Sequence, residues 1–191
     1  MNPKAYLETT IASYLTARPS RALITAANQQ MTHDWWYDHR GQFALYVSQF
    51  VIEEASAGDP EAAKRRLAVL ADLPQLDVTD AVQQLAQALL MHVPLPANAQ
   101  VDALYIAVAT VHGMDYLVTW NCTHIANATL RHRIEAICRA EGYEYTKHFQ
   151  YDLEAICRDI RAKQTQSSRQ VVSLPPKPVK APMAPTGQPT A

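Results

Sequence analysis

Three acidic side chains interrupt apolar surroundings in this sequence, and chemistry is most plausibly sought there. Asp102 is followed by Ala103, Leu104, Tyr105, Ile106, Ala107, Val108 and Ala109. In a helix, Tyr105, Ile106 and Ala109 share its face, so the carboxylate is expected along a largely buried side. An isolated buried carboxylate must be paired, protonated or bound to a metal. The plainer alternative is that Asp102 only caps its helix or complements the dipole. Glu54 has Phe50 and Val51 behind it on one helical face, while Glu53 points elsewhere. Its plainer alternative is a half-exposed ion pair with Lys64 or Arg65.

Glu8 and Asn121 complete the set. Each ends a short segment read as a strand, 5–8 and 116–119. Ligand sites of open parallel sheets form outside the carboxyl ends of the strands, which is where both would stand. Together with carboxylates on two buried helix faces they would make a hard-oxygen cluster of the kind that suits Mg2+ or Mn2+.

The elements that must position these residues are legible from periodicity. After the first strand, Thr9 and Thr10 are turn-prone, and a long helical stretch runs over 19–40, ended by Gly41. A second strand is expected over 43–47, with Ser48 as N-cap of a short helix through Ser56. Asp59 caps the next helix and Pro60 takes its first position, with Leu67 and Leu70 on the inner side to about Ala71. A brief strand over 76–78, a helix over 80–91, a break at Pro94 and Pro96, and a helix over 98–112 ended by Gly113 follow. The strand over 116–119, a helix over 126–140, a possible strand over 143–149 and a last helix complete the pattern. Strands separated by helical segments predict an α/β fold, a three-layer α/β/α domain around a central parallel sheet of four or five strands. The expected organisation is a domain over 1–150, a C-terminal helix over 151–163 and a tail over 164–191. That tail is rich in Pro, Gln and Ser with few apolar anchors, and is expected to be disordered.

Composition narrows the partners. The net charge is -1 and the pI about 6.6, so attraction to phosphate must be local rather than global. Cys122, Cys138 and Cys157 match neither a zinc signature nor a disulfide framework, so reduced thiols are expected. No apolar run is long enough to span a bilayer and no secretory signal is visible, which predicts a cytoplasmic protein without membrane contact. Five glycines without a Gly-rich phosphate loop argue against a nucleotide-binding fold, and no histidine spacing suggests zinc.

The residues around the four candidates also carry a family resemblance. Tyr6-Leu7-Glu8-Thr9-Thr10 looks like the opening strand of PIN domains, usually hydrophobic-Asp-Thr-Ser. Ser48-Gln49-Phe50-Val51-Ile52-Glu53-Glu54 resembles their second motif, in which an acid follows a Ser by six. Asp102-Ala103-Leu104-Tyr105-Ile106-Ala107 is similar to the third, normally Asp-Ala-hydrophobic-His-Ile-Ala. Leu117-Val118-Thr119-Trp120-Asn121 with His124-Ile125 resembles the fourth, where a Thr precedes an Asp or Asn by two. Order and spacing agree over about three-quarters of the chain, roughly Lys4 to Glu144, and within the family the likeness is to VapC toxins of type II toxin–antitoxin pairs.

The resemblance implies an Mg2+- or Mn2+-dependent ribonuclease, a hydrolase leaving 5′-phosphate and 3′-hydroxyl ends on RNA. It implies Glu8, Glu54, Asp102 and Asn121 as catalytic residues and Glu8 and Asp102 as metal ligands. Thr10, Thr119 and His124 would support them from behind, and a cognate antitoxin and a homodimer would be the protein partners. Two positions depart from the family pattern: Glu8 replaces the usual Asp, and the neutral Asn121 is accompanied by His124 where many relatives carry Asp. Those departures motivate the alternative of a PIN-like RNA- or protein-binding module with weak or no catalysis, and a nuclease acting on structured DNA is a further alternative.

Arg131 and Arg133, just beyond the fourth motif, are the candidate RNA-binding cations. Lys64-Arg65-Arg66 reads as a solvated helix face, and Trp35-Trp36-Tyr37 as core or interface packing rather than a base-stacking platform.

Overall fold

A computed structural model of the chain describes residues 2–96 and 99–144. The chain divides into two units, Met1–Tyr151 and Asp152–Ala191, and all that follows concerns the first. The helix expected over 151–163 and the tail over 164–191 lie outside the described residues.

Four strands, β1 (Lys4–Leu7), β2 (Ala44–Ser48), β3 (Gln75–Leu76) and β4 (Tyr116–Val118), form an all-parallel sheet in the order β3-β2-β1-β4. Central β1 has Ala5, Tyr6 and Leu7 fully buried, as a strand covered on both faces must be. Helices α1 (Thr9–Thr16), α2 (Leu23–Asp38), α3 (Gln49–Ser56) and α4 (Pro60–Leu70) form one group around α1. A second group consists of α5 (Asp80–His92), α6 (Gln100–Val111) and α7 (Ala128–Ala140), packed on α5. This is the expected three-layer α/β/α arrangement. The chain steps outward from β1 to β2 to β3, then returns to place β4 on the far side of β1. The order therefore reverses between β1 and β4, the position outside whose carboxyl ends open parallel sheets place their ligand sites.

Local chemistry explains most boundaries. Asp59 accepts from Ala62 N at 2.9 Å with Pro60 at the first helical position, as expected. Gly113 ends α6 at φ +58, with Met114 N bonded to Ala109 O and Gly113 N to Thr110 O, a Schellman closure that a residue with Cβ would strain. Gly142, at φ +84, closes α7 the same way, with Tyr143 N on Cys138 O. Tyr143 is thus part of a helix terminus rather than the start of a strand, Glu144 is not in a strand either, and residues 145–149 of that expected strand lie outside the described residues.

Three expectations need correction. The segment after β1 is not a turn but the helix α1, with Ile11 and Ala12 buried. Threonine's low helix propensity is overridden because the hydroxyls of Thr9 and Thr10 bond across the fold, Thr9 donating to Glu54 and Thr10 accepting from Trp120 N. The long helix begins at Leu23, not near Pro19, because the Gln29 side chain holds Ser20 N and Arg18 O in a non-helical loop. Ser48 occupies the N-cap position of α3 but makes no capping bond; its hydroxyl meets the buried Tyr6 hydroxyl at 2.5 Å instead.

The aromatic block on α2 splits. Trp36 is buried beneath the Arg40 guanidinium, 4.5 Å from its ring centroid, and Trp35 packs on the core, whereas Tyr37 is exposed. Cys122 and Cys138 are free thiols, and burial pushes that of Cys138 up to about 11. No described helix is long and apolar enough to cross a membrane.

Candidate functional site

Polar residues leave β1 and β4 at the carboxyl edge of the sheet, where its order reverses. Glu8 directly follows β1 and keeps the ladder going through its own N–H, which donates to Val118 O. Its side chain is only 4% exposed. Two hydroxyls donate to its Oε2, that of Thr10 at 2.5 Å and that of Thr119 at 2.8 Å. The direction of both bonds is fixed by what the hydroxyl oxygens receive. Trp120 N donates to Thr10 Oγ1 at 2.9 Å and Asn121 N donates to Thr119 Oγ1 at 2.8 Å, so each threonine proton is left for Glu8. Backbone N–H groups at the exit of β4 thus orient the two hydroxyls that hold the acid at the exit of β1.

Burial raises the pKa of Glu8 above the usual carboxylate value and is the largest influence. The bonds from Thr10 and Thr119 and the Thr10 backbone oppose it, and the charge of Glu54 adds to the rise.

Asp102 occupies the first turn of α6, but it does not cap that helix. Its Oδ1 accepts from Asn121 Nδ2 at 3.0 Å and its Oδ2 faces His124 Nδ1 at 2.7 Å. Asn121 Oδ1 accepts from His124 N at 3.1 Å, which fixes the amide orientation and turns Nδ2 toward Asp102. The contact uses Nδ1 of His124, so Nε2 lies outside this bond. The pair is partly wet, with 22% of the His124 side chain and 17% of that of Asp102 exposed. Glu8 and Asp102 are therefore linked by one relay, Glu8–Thr119–Asn121–Asp102, with His124 at its end.

Glu54 stands differently. The residue is exposed, against the expectation of a buried face, and only its Oε2 turns inward to Thr9 Oγ1, at 2.8 Å, and to the Tyr105 hydroxyl. Thr9 and Tyr105 also meet at 2.9 Å. Two hydroxyl protons serve three oxygen contacts, which holds Glu54 beside the buried Thr9. Desolvation, then the Glu54 carboxylate, drive the Tyr105 hydroxyl far above its ordinary value, so it remains a donor. The ion pair with Lys64 or Arg65 is not formed. Of the basic run, Arg66 bonds the Ala55 and Ala57 carbonyls at the end of α3, while Lys64 and Arg65 are exposed.

Glu8, Thr10, Thr119, Asn121, Asp102 and His124 thus come together, and Glu54 joins through Thr9, the neighbour of Glu8. Arg131 and Arg133 are not drawn into this network: Arg131 pairs with Glu135 at 2.9 Å along α7, and Arg133 is exposed. Sequence reasoning passed over Thr9 as a turn residue and Tyr105 as mere packing. The signal available for Tyr105 was its place three residues after Asp102 on the same helical face.

The donor set is of the kind Mg2+ takes, carboxylate oxygens with an amide beside them. Among the described residues, however, no group of three His, Cys, Asp or Glu side chains is gathered closely enough to hold a metal ion. Magnesium commonly uses only one or two protein carboxylates and completes its shell with waters and substrate phosphates, so Glu8 and Asp102 fit that mode on donor chemistry. No protein-family model matches the chain, and no curated protein or solved structure does.

Proposed function

We propose that this protein is a metal-dependent endoribonuclease that hydrolyses RNA phosphodiesters, of the PIN and VapC kind that its motifs resemble. The observation that carries the reading is the Glu8–Thr119–Asn121–Asp102 relay at the point where the parallel sheet reverses its order. Two carboxylates joined there by neutral donors are suited to cation-assisted chemistry on a phosphate.

Glu8 and Asp102 would hold Mg2+ or Mn2+, with Glu54 and Asn121 at the rim. When bound, such an ion lowers the pKa of water and neutralises charge on phosphoryl oxygens. Thr10 and Thr119 keep Glu8 oriented, and Tyr105 and Thr9 do the same for Glu54. His124 is held through Nδ1 by Asp102, and its Nε2, outside that bond, would meet the phosphate or the leaving oxygen. Arg133 supplies exposed positive charge on α7 for the RNA backbone, and Arg131 can do so on leaving Glu135. Leu23 and Ile24 at the start of α2, 85% and 78% exposed, are where a second copy or a cognate antitoxin would cover apolar surface.

A second reading, an RNA- or protein-binding module without catalysis, is favoured by one observation. Both oxygens of Asp102 already accept hydrogen bonds, and its imidazole partner takes the place of a further acid. Incubating the purified chain with end-labelled single-stranded RNA in Mg2+, Mn2+ or EDTA separates the two. Metal-stimulated cleavage leaving 5′-phosphates is expected. RNA bound but never cut favours the module, cleavage of structured DNA instead of RNA reassigns the substrate, and neither binding nor cleavage rejects the nuclease and the RNA-binding module and leaves only a protein-binding one.

A further inference from the structure

Tyr14 on α1 and Trp120 after β4 pack as a tilted pair, with ring centroids 6.0 Å apart and planes inclined by 37°. Both are half-buried, yet neither belongs to the hydrophobic core or to the partly buried apolar side chains packed against it. Rings of this size ordinarily serve a core. Polar bonds hold this pair instead. Trp120 Nε1 donates to Thr32 Oγ1 at 2.7 Å, and the Thr32 hydroxyl spends its own proton on Asn28 O at 2.7 Å. Trp120 N donates to Thr10 Oγ1. The indole is thus fixed between α1, through Tyr14 and Thr10, and α2, through Thr32.

Its location is as informative as its rigidity. Trp120 directly precedes Asn121, which bonds Asp102. Thr10, which bonds Glu8, lies one helical turn before Tyr14 and so on the same face of α1. The aromatic pair therefore stands one turn from the carboxylates. A pre-set aromatic surface that is partly wet costs little side-chain entropy when a ligand settles on it.

We propose that Tyr14 and Trp120 form a stacking subsite for an unpaired nucleobase of the RNA, next to the phosphate handled by Glu8 and Asp102. The inference takes the class of its ligand from the nuclease reading, and its own ground is the aromatic pair. Stacking requires no hydrogen-bond complementarity to a particular base, so the subsite favours single-stranded over duplex RNA without reading sequence.

The test uses the full chain in EDTA, so that binding is measured without cleavage. A short single-stranded RNA is compared with a series of the same oligomer, each member lacking one base. Loss of the base at one position is expected to weaken binding to the native chain about tenfold. The Trp120→Ala variant should bind the intact oligomer about as weakly and lose little more at that position, and Tyr14→Ala should behave in the same direction. Trp120→Phe, which keeps a ring, should retain most of the affinity and guards against a folding defect in the alanine variant. Equal affinity for every member of the series overturns the proposal, as does an undiminished base effect in both alanine variants, or no RNA binding by the native chain. Cleavage in Mg2+ with base-insensitive binding leaves the nuclease reading standing and sinks this one. Base-dependent binding through Trp120 without cleavage does the reverse.

Discussion

Thr119 donates its hydroxyl proton to Glu8 Oε2 at 2.8 Å while its oxygen accepts from the backbone of Asn121 at 2.8 Å. One fully buried side chain therefore ties the acid at the end of β1 to the amide at the end of β4. Replacing it by valine keeps the shape and removes both bonds. Thr119→Val should lose about 1–3 kcal/mol of stability, because the Asn121 N–H is left without its acceptor. Thr119→Ser should recover most of the loss. Urea unfolding of the two variants measures the difference, and equal stability of valine and native chains would show that the relay is not structural.

Asp102→Asn changes a carboxylate that accepts two hydrogen bonds into an amide of the same shape. RNA cleavage in Mg2+ should fall at least ~100-fold if the carboxylate serves the reaction. Stability should change by only about 1 kcal/mol, since the neighbouring groups keep a polar partner. Cleavage assays beside thermal melts check both, and a variant that cuts RNA at the native rate would reject the metal-assisted reading.

Burial holds the pKa of Glu8 above its ordinary 4.5. The folded chain consequently binds this proton more tightly than the unfolded chain does. The contribution of Glu8 to stability is therefore complete below about 4.5 and is lost as pH rises through the folded value. In metal-free buffer, the unfolding free energy of the native chain should decline relative to that of Glu8→Gln as pH climbs out of the acid range. Denaturant titrations at a series of pH values give the two curves; parallel curves would mean that Glu8 ionises on folding no differently than in the unfolded chain.

Tyr105→Phe removes the hydroxyl that bonds Glu54 and meets Thr9. The expected cost in stability is about 1 kcal/mol. Because Glu54 is exposed, losing this donor should free its side chain and lower cleavage about tenfold, mainly in kcat. Steady-state kinetics separate kcat from KM, and a change confined to KM would place Glu54 in binding rather than in the reaction.

Much of this molecule was legible from residue order. The alternation of short apolar strands with amphipathic helices announced the parallel sheet, and Asp59-Pro60 and Gly113 marked their boundaries because capping and positive φ are local requirements. The candidate residues Glu8, Asp102 and Asn121 stood out for a similar reason, polar side chains placed where strands end or where a helix is otherwise apolar, whereas His124 entered only through the family resemblance. Where the reading failed, long-range bonds had overruled local preference. Thr9 and Thr10 are poor helix formers, yet α1 forms around them because their hydroxyls meet Glu54 and the backbone of Trp120, both far along the chain.

By itself, the sequence determined which residues would reach the carboxyl edge of the sheet, since strand periodicity and turn chemistry act over only a few positions. Only the tertiary structure decided what each acid faces there: hydroxyls for Glu8 and Glu54, an amide and an imidazole for Asp102. The physical reason is that hydrogen-bond direction depends on what every neighbouring oxygen already accepts, and those neighbours arrive from β4, α1 and α6, segments far apart along the chain.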